Sequence, residues 1–420
     1  MGLLPGVSPY LVAACAFARS LKGGVSTLMV HYTRQQGGMS YVQEALEVAK
    51  AAKDVGVSIG FAVAMRDQQG LAYAPDAQVL PFLNEAHRDQ LLERMGPPKM
   101  SVAQHLERLH ETAAALEDPA SGFNSWVNVQ YGPNGVQWCS PELLGAIAKA
   151  SERDGRGVHM HLLETRYQRE WSDHHHPHGV VKYLDDLGLL SPRLTLAHCT
   201  WAREDELDLL AQRGVTIAVN ASSNLHLHSG IANVAQMIRC GCRVAMGLDG
   251  LALDEDDDAF KELRLNSLLH NGWGFEHALS LENWWDFACV NAKRSIMGKK
   301  AGELQLVGAL RSGASADFLT FDISRLDDEE GIVPGVDPMQ KILARAVQGH
   351  IDRVVVRGRE VVRGGQVVSI DEVAAKKELF QAYKSAIARD PAWPQWQAAL
   401  NEYHHGIRNF YTQGQWLGCC

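Results

Sequence analysis

No apolar run in the 420 residues approaches the roughly 20 positions that a membrane-spanning helix needs. The opening MGLLPGVSPYLVAACAFARS has an apolar stretch but no basic residue ahead of it, so it reads as the start of a core helix rather than a leader. Lys and Arg form no long run, and 40 of them against 49 Asp and Glu leave a net charge of −9. A phosphate-backbone partner is therefore not expected. The eight cysteines contain no CxxC pair; Cys240 and Cys242 are too close for an easy disulfide, and Cys419 and Cys420 end the chain. Reduced thiols in a cytoplasm fit that usage. No GxGxxG or GxxxxGK[ST] follows a strand-like run, which counts against an open sheet that binds a nucleotide. There is no internal repeat and no low-complexity tract. What the chain does have is 46% hydrophobic and 21% charged residues, the composition of a globular protein with a large core.

Helical and strand signals alternate along it. Pro9 to Arg19 reads as a helix stopped by Gly23-Gly24, and VSTLMVHY follows as a β-branched strand ending near His31. Val42, Ala45, Leu46, Ala49 and Ala52 then repeat at helical spacing up to Gly56, before VSIGFAVAM. After a helical excursion through residues 82 to 116 come WVNVQYGPNG, a helix opened by Pro141, VHMHLL, LTLAHCTW, VTIAVNAS and RVAMGLDG, each with a helical segment after it. Seven strands, each followed by a helix, predict a parallel α/β sheet with right-handed crossovers, and the regularity favours a (β/α) barrel of the TIM type. Such a barrel closes with eight strands, so either its first element is unusual or the chain begins too late. SADFLTFD and RVVVRGREVVRGGQVVSI alternate like antiparallel strands, with Arg357-Gly-Arg as a hairpin or bulge and Gly364-Gly365 as a turn. Ser369 to Glu372 reads as a capping box for a C-terminal helix, and the Trp- and Tyr-rich tail from Pro391 is expected to pack on the barrel or another subunit. The expected units are a barrel over 1–302, a partial sandwich over 303–370 and a helical tail over 371–420.

The polar residues gather at strand ends. Val158, Met160 and Leu162 alternate with His159 and His161, and Glu164 follows at the strand's exit. His198 ends LTLAH, and Asp249 ends RVAMGLD. In a barrel these all face one mouth, and His, His and Asp there suit a zinc or iron ion with a carboxylate beside it for proton transfer. His31, at another strand end, is placed better for substrate contact than for metal. Gln130 to Ser140 supplies amides and an indole able to grip a flat heterocycle, with Asn134, Gln137 and Trp138 as the candidates; the alternative is that Gly132 to Gly135 only makes a tight turn. His174, His175, His176 and His178 read as a solvated loop. The acidic run Asp254 to Asp258 reads as a helix cap.

HMHLLET, LAHCTW, NASSNLHLHSG and MGLDG, with NAKRSIMG and SGASADFLTFD after them, resemble the amidohydrolase superfamily, in the branch of cytosine deaminase and the triazine hydrolases, from about Gly24 to Gly364. The resemblance implies a metal ligand at His161, a proton-shuttling acid at Glu164, a histidine at His198 that hydrogen-bonds the attacking water or the substrate, and Asp249 as ligand and general base. It implies hydrolysis of a non-peptide carbon–nitrogen bond in a small nitrogen heterocycle, and one divalent metal, zinc or iron. No nucleic-acid or membrane partner is implied, and a homo-oligomer remains open. The family also places an HxH pair at the end of its first strand, and none precedes His31. The expectation is a chain without the first barrel strand and the early sandwich strands, holding its metal weakly. The alternative function is a catalytically impaired relative that serves as a binding or oligomerising protein.

Overall fold

The structure, a computed structural model, describes residues 6–35, 38–250, 256–272, 279–302, 306–326 and 335–413. All seven expected strands are present: β1 (Thr27–Tyr32), β2 (Ser58–Met65), β3 (Val127–Pro133), β4 (Val158–Leu162), β5 (Leu194–His198), β6 (Thr216–Val219) and β7 (Arg243–Met246). They form one parallel sheet in strict sequence order. Helices such as Tyr41–Val55 and Pro141–Asp154 return the chain between neighbours, the geometry of right-handed crossovers. On β2 the large residues Ile59, Phe61, Val63 and Met65 are buried on the helix side. The inward face carries small residues instead, because there the backbone meets other structure. At Gly60 a Cβ would lie 2.9 Å from the carbonyl of Ile296. That carbonyl belongs to the helix Asn291–Met297, which packs against β1 to β3 and against β6 and β7. The side-chain amides of Asn128 and Gln130 donate to it at 3.0 and 2.8 Å. This helix fills the sheet's interior over its first half and leaves the strand exits open. The sheet is curled, and among the described residues β1 pairs only with β2, and β7 only with β6.

A second, antiparallel sheet joins β8 (Phe318–Phe321), β9 (Ile351–Val356), β10 (Arg359–Arg363) and β11 (Gln366–Val367). Arg357 and Gly358, both at positive φ, turn the β9–β10 hairpin as the sequence indicated. The helix Pro9–Lys22 packs against this sheet and against the helix Glu372–Arg389. The capping box at Ser369 does not form: the helix is capped by Asp371, whose carboxylate accepts from the Ala374 amide at 2.9 Å. A shorter reach explains the change, since an Asx side chain caps the turn directly from the adjacent position. Asp258 does cap Ala259–His270, whereas Asp254 and Glu255 lie outside the described residues. Cys419 and Cys420 also lie outside them, and the six described cysteines are free thiols. The last helix, Trp393–Thr412, packs on the segment 71–95, where the Tyr411 hydroxyl accepts from the Tyr73 amide at 2.9 Å. Among the described residues no helix is long and apolar enough to cross a membrane.

Candidate active site at the strand exits

β4 sets the site's geometry. Its two-residue period buries Val158, Met160 and Leu162 on the helix side and turns His159 and His161 into the interior. The Nδ1 of His161 lies 2.8 Å from the backbone carbonyl of Asn134. A carbonyl can only accept, so Nδ1 carries the proton and Nε2 is left as a lone-pair donor toward the interior. His198, 1% exposed, is fixed in the same way: Nδ1 donates to Asn224 Oδ1 at 3.0 Å, while the Asn224 amide nitrogen donates to Thr200 Oγ1. The rings of His161 and His198 stack with centroids 5.6 Å apart.

The backbone is bent to bring these groups together. Leu163, His198, Cys199 and Asp249 all have φ between 47° and 76°, a conformation that costs a non-glycine residue about 1–3 kcal/mol. Hydrogen bonds from Cys199 N to Leu162 O and from Trp201 N to Leu163 O tie the exits of β4 and β5 together. Close packing also requires glycine at 247, where a Cβ would stand 2.1 Å from the Asn220 side-chain oxygen, and Asn220 itself lies against His198.

Glu164 is braced from behind. Its amide donates to Gln168 Oε1 at 2.7 Å, and Gln168 Nε2 donates to Gln137 Oε1 at 2.7 Å. Asp249 accepts from the Ser223 hydroxyl at 2.6 Å and from the Gly250 amide at 2.8 Å. Glu164 and Asp249 both act electrostatically on His161, so the two carboxylates and the imidazoles share one neighbourhood.

His31 also belongs to this cluster, with its ring centroid 4.9 Å from His161 and 5.9 Å from His159. Both its ring nitrogens, and Nδ1 of His159, are shielded from solvent without a hydrogen-bond partner. Burial, reinforced by mutual repulsion, holds His31 well below the usual histidine range and His159 down to about 3. Burial and His198 lower His161 as well. At neutral pH these three imidazoles are uncharged.

Uncharged imidazoles and a carboxylate are the donor chemistry that a zinc-type ion takes. The count falls short, however: among the described residues no three His, Cys, Asp or Glu side chains come together in a set able to hold a metal ion. His161 and Asp249 are the oriented donors, and they do not complete a site. This polypeptide is therefore expected to lose zinc on desalting. An equilibrium titration should give a dissociation constant in the micromolar range or weaker, about 8 kcal/mol or less against the ~10–16 kcal/mol of a structural zinc site. Tight, stoichiometric zinc by elemental analysis would refute this.

The structure treats the substrate candidates unequally. Asn134 lies at the mouth, where its carbonyl holds His161 and its Oδ1 is buried without a partner. Gln137, in contrast, is 1% exposed and spends its side-chain oxygen on Gln168, so it braces Glu164 from inside rather than facing a ligand. Trp138 leans its ring on Tyr73 at 5.6 Å. Of the histidines after β4, His174, His175 and His178 are exposed and His176 is half-buried, so the segment is largely solvated, but it is not all loop. His174 and His175 lie in the helix Arg166–His175, His175 stacks on Trp171, and His176 stacks on Tyr183. His159 and Tyr73 were not singled out as site residues from the sequence. The alternation of β4 already places His159 beside His161; nothing local marks Tyr73, which the fold brings close enough for Glu164 to raise its phenol beyond the effect of burial.

The model of the amidohydrolase family matches residues 7–361, and the chain belongs to that family. The 5′-deoxyadenosine deaminase of Methanothermobacter thermautotrophicus is 31% identical over 283 residues, covering 67% of this chain and 62% of that protein. A 5-methylthioadenosine/S-adenosylhomocysteine deaminase of Pelotomaculum thermopropionicum is 29% identical over 279 residues, covering 66% and 62%. The chain thus spans less than two thirds of the length of these relatives. Among solved structures, a zinc-bound adenosine deaminase from Xanthomonas campestris superposes with a TM-score of 0.67 at 20% identity, covering 91% of this chain and 76% of that one. A mutant of the atrazine chlorohydrolase of Arthrobacter aurescens, complexed with zinc and atraton, gives 0.70 at 21% identity, covering 89% and 76%. At these identities the likeness establishes the fold.

Proposed function

We propose that this chain is a hydrolase of carbon–nitrogen bonds that deaminates an amino-substituted nitrogen heterocycle, with an aminopurine nucleoside as the favoured substrate. The observation that carries the reading is the meeting of His161, His198, Glu164 and Asp249 at the exits of β4, β5 and β7, on a backbone bent out of its preferred conformation at each exit. The nucleoside follows from the names of the relatives, which are deaminases of 5′-deoxyadenosine and of related thioethers.

In this arrangement Asp249 takes a proton from water as the oxygen attacks the ring carbon, and Glu164 delivers a proton to the departing nitrogen, so that water is consumed and ammonia leaves. His198, with Nδ1 locked on Asn224, presents Nε2 to the water or the developing oxygen. Asn134 and Trp138 face the flat ring. A divalent metal, zinc or iron, would take His161 and Asp249 as two of its ligands and would supply a water of lowered pKa. The unpaired cysteines suit a reducing cytoplasm.

The incomplete donor set favours a second reading, a family member that binds its ligand without turning it over. Ammonia release separates the two. The full chain, supplied with zinc, is assayed against 5′-deoxyadenosine and a panel of aminated pyrimidines, pterins and triazines. Release from the nucleoside that stops with a chelator is the expected result. Binding of a panel member with no ammonia from any of them would establish the second reading.

A further inference from the structure

One short helix, Ala221–His226 after β6, carries much of what orients the site. Its Ser223 donates to Asp249 at 2.6 Å, and its Asn224 accepts from His198 Nδ1 at 3.0 Å. The side-chain nitrogen of Asn220, the residue just ahead of the helix, lies 3.4 Å from that same Nδ1. The alignment of the base and of the histidine therefore depends on where this helix starts and how it is turned.

Asn220 stands where an asparagine ordinarily caps a helix, its side-chain oxygen accepting an amide of the first turn. Here it makes no such bond, because its side chain is turned toward His198 with the oxygen packed against Gly247. The amides are satisfied from a distant segment instead. Glu262 Oε1 accepts from Ala221 N at 2.7 Å and from Ser222 N at 3.2 Å, and Oε2 lies 3.3 Å from Ser222 N. Glu262 is 2% exposed and belongs to the helix Ala259–His270, which packs against Ala221–His226. One turn further along, the Asn266 amide nitrogen donates to the Glu262 carbonyl at 2.9 Å and lies 3.4 Å from Oε1. A carboxylate at a helix N-terminus makes charge-assisted bonds and meets the positive end of the helix dipole, so it holds those amides more strongly than a neutral side chain does. Burying a carboxylate is unfavourable, and a capping Asn220 would have avoided it; the release of Asn220 to the site accounts for the arrangement.

We propose that Glu262 is a positioning residue: it replaces Asn220 as the cap of Ala221–His226 and thereby sets Ser223 on Asp249 and Asn224 on His198 together. The inference rests on the function proposed above. Glu262 acts through the helix rather than on the substrate.

The test replaces Glu262 in the full chain, supplied with zinc. It follows ammonia release from 5′-deoxyadenosine and, separately, the nitrogen NMR spectrum of isotope-labelled histidine, in which the His198 signals are those lost in His198→Gln. Glu262→Met, which has no acceptor, should lower kcat about 10–100-fold with KM changed by no more than about threefold. Glu262→Gln, which keeps an oxygen for the two amides, should recover most of that loss, to within about fivefold of wild type. In a Ser223→Ala, Asn224→Ala background Glu262→Met should cost no more than about twofold further, because the helix then has little left to position; a merely structural role would multiply the losses. The spectrum should show His198 protonated on Nδ1 in wild type and in Glu262→Gln, and shifted toward the Nε2 form in Glu262→Met. If Glu262→Met does not fold, Glu262→Asp, which draws the acceptor back by one methylene, takes its place with the same expected readings. The proposal is overturned if loss of the acceptor leaves kcat and the tautomer as in wild type, if Glu262→Gln falls as far as Glu262→Met, or if the losses multiply in the doubly substituted background. In a chain that releases no ammonia the proposed activity fails and the tautomer alone decides: an unchanged Nδ1 form in Glu262→Met overturns the positioning role, and a shifted one upholds it.

Discussion

Glu164→Gln is expected to lower kcat for ammonia release by roughly 10²–10⁴-fold with KM changed by no more than about threefold. Glutamine keeps the shape of the side chain and the Glu164 amide bond to Gln168, so the brace through Gln137 survives and only the transferable proton is lost. The melting temperature should stay near that of the wild type, because the carboxylate itself makes none of those bracing bonds. A variant that retains most of its kcat would show that the proton reaches the leaving nitrogen by another route.

Arg169→Met is expected to cost about 3–5 kcal/mol of stability, read as a clear fall in melting temperature. The guanidinium is buried in the helix that follows Glu164, with Nη1 2.8 and 2.9 Å from the two oxygens of Glu206 and Nη2 on Asp173. Removing it strands a carboxylate that is 5% exposed. Arg169→Met combined with Glu206→Leu should recover much of the loss, since two apolar groups need no partner. A single variant as stable as wild type would contradict the burial argument. The same helix holds Gln168, so its loosening should also reduce activity before the protein melts.

The barrel was legible because its signals are local and repeat: alternation in VHMHLL, helical spacing from Val42 to Ala52, and glycines such as Gly23, Gly56 and Gly155 that close helices ahead of a strand. His161, Glu164, His198 and Asp249 stood out as candidates because side-chain chemistry and strand ends coincide there. What the sequence concealed depends on contacts between distant segments. Gln137 looked like a ligand contact until Gln168, 31 positions later, took its oxygen. His176 looked like a loop residue because its stacking on Tyr183 leaves no mark in composition.

A crystal structure of the full chain with zinc and a non-hydrolysable purine nucleoside hydrate would measure the shared centre itself. The ring carbon should sit within hydrogen-bond reach of Glu164, His198 and Asp249, with His161 on the same side and Asn134 beside the ring. A ligand bound elsewhere, or Glu164 and Asp249 turned to opposite ends of the sheet, would contradict the account.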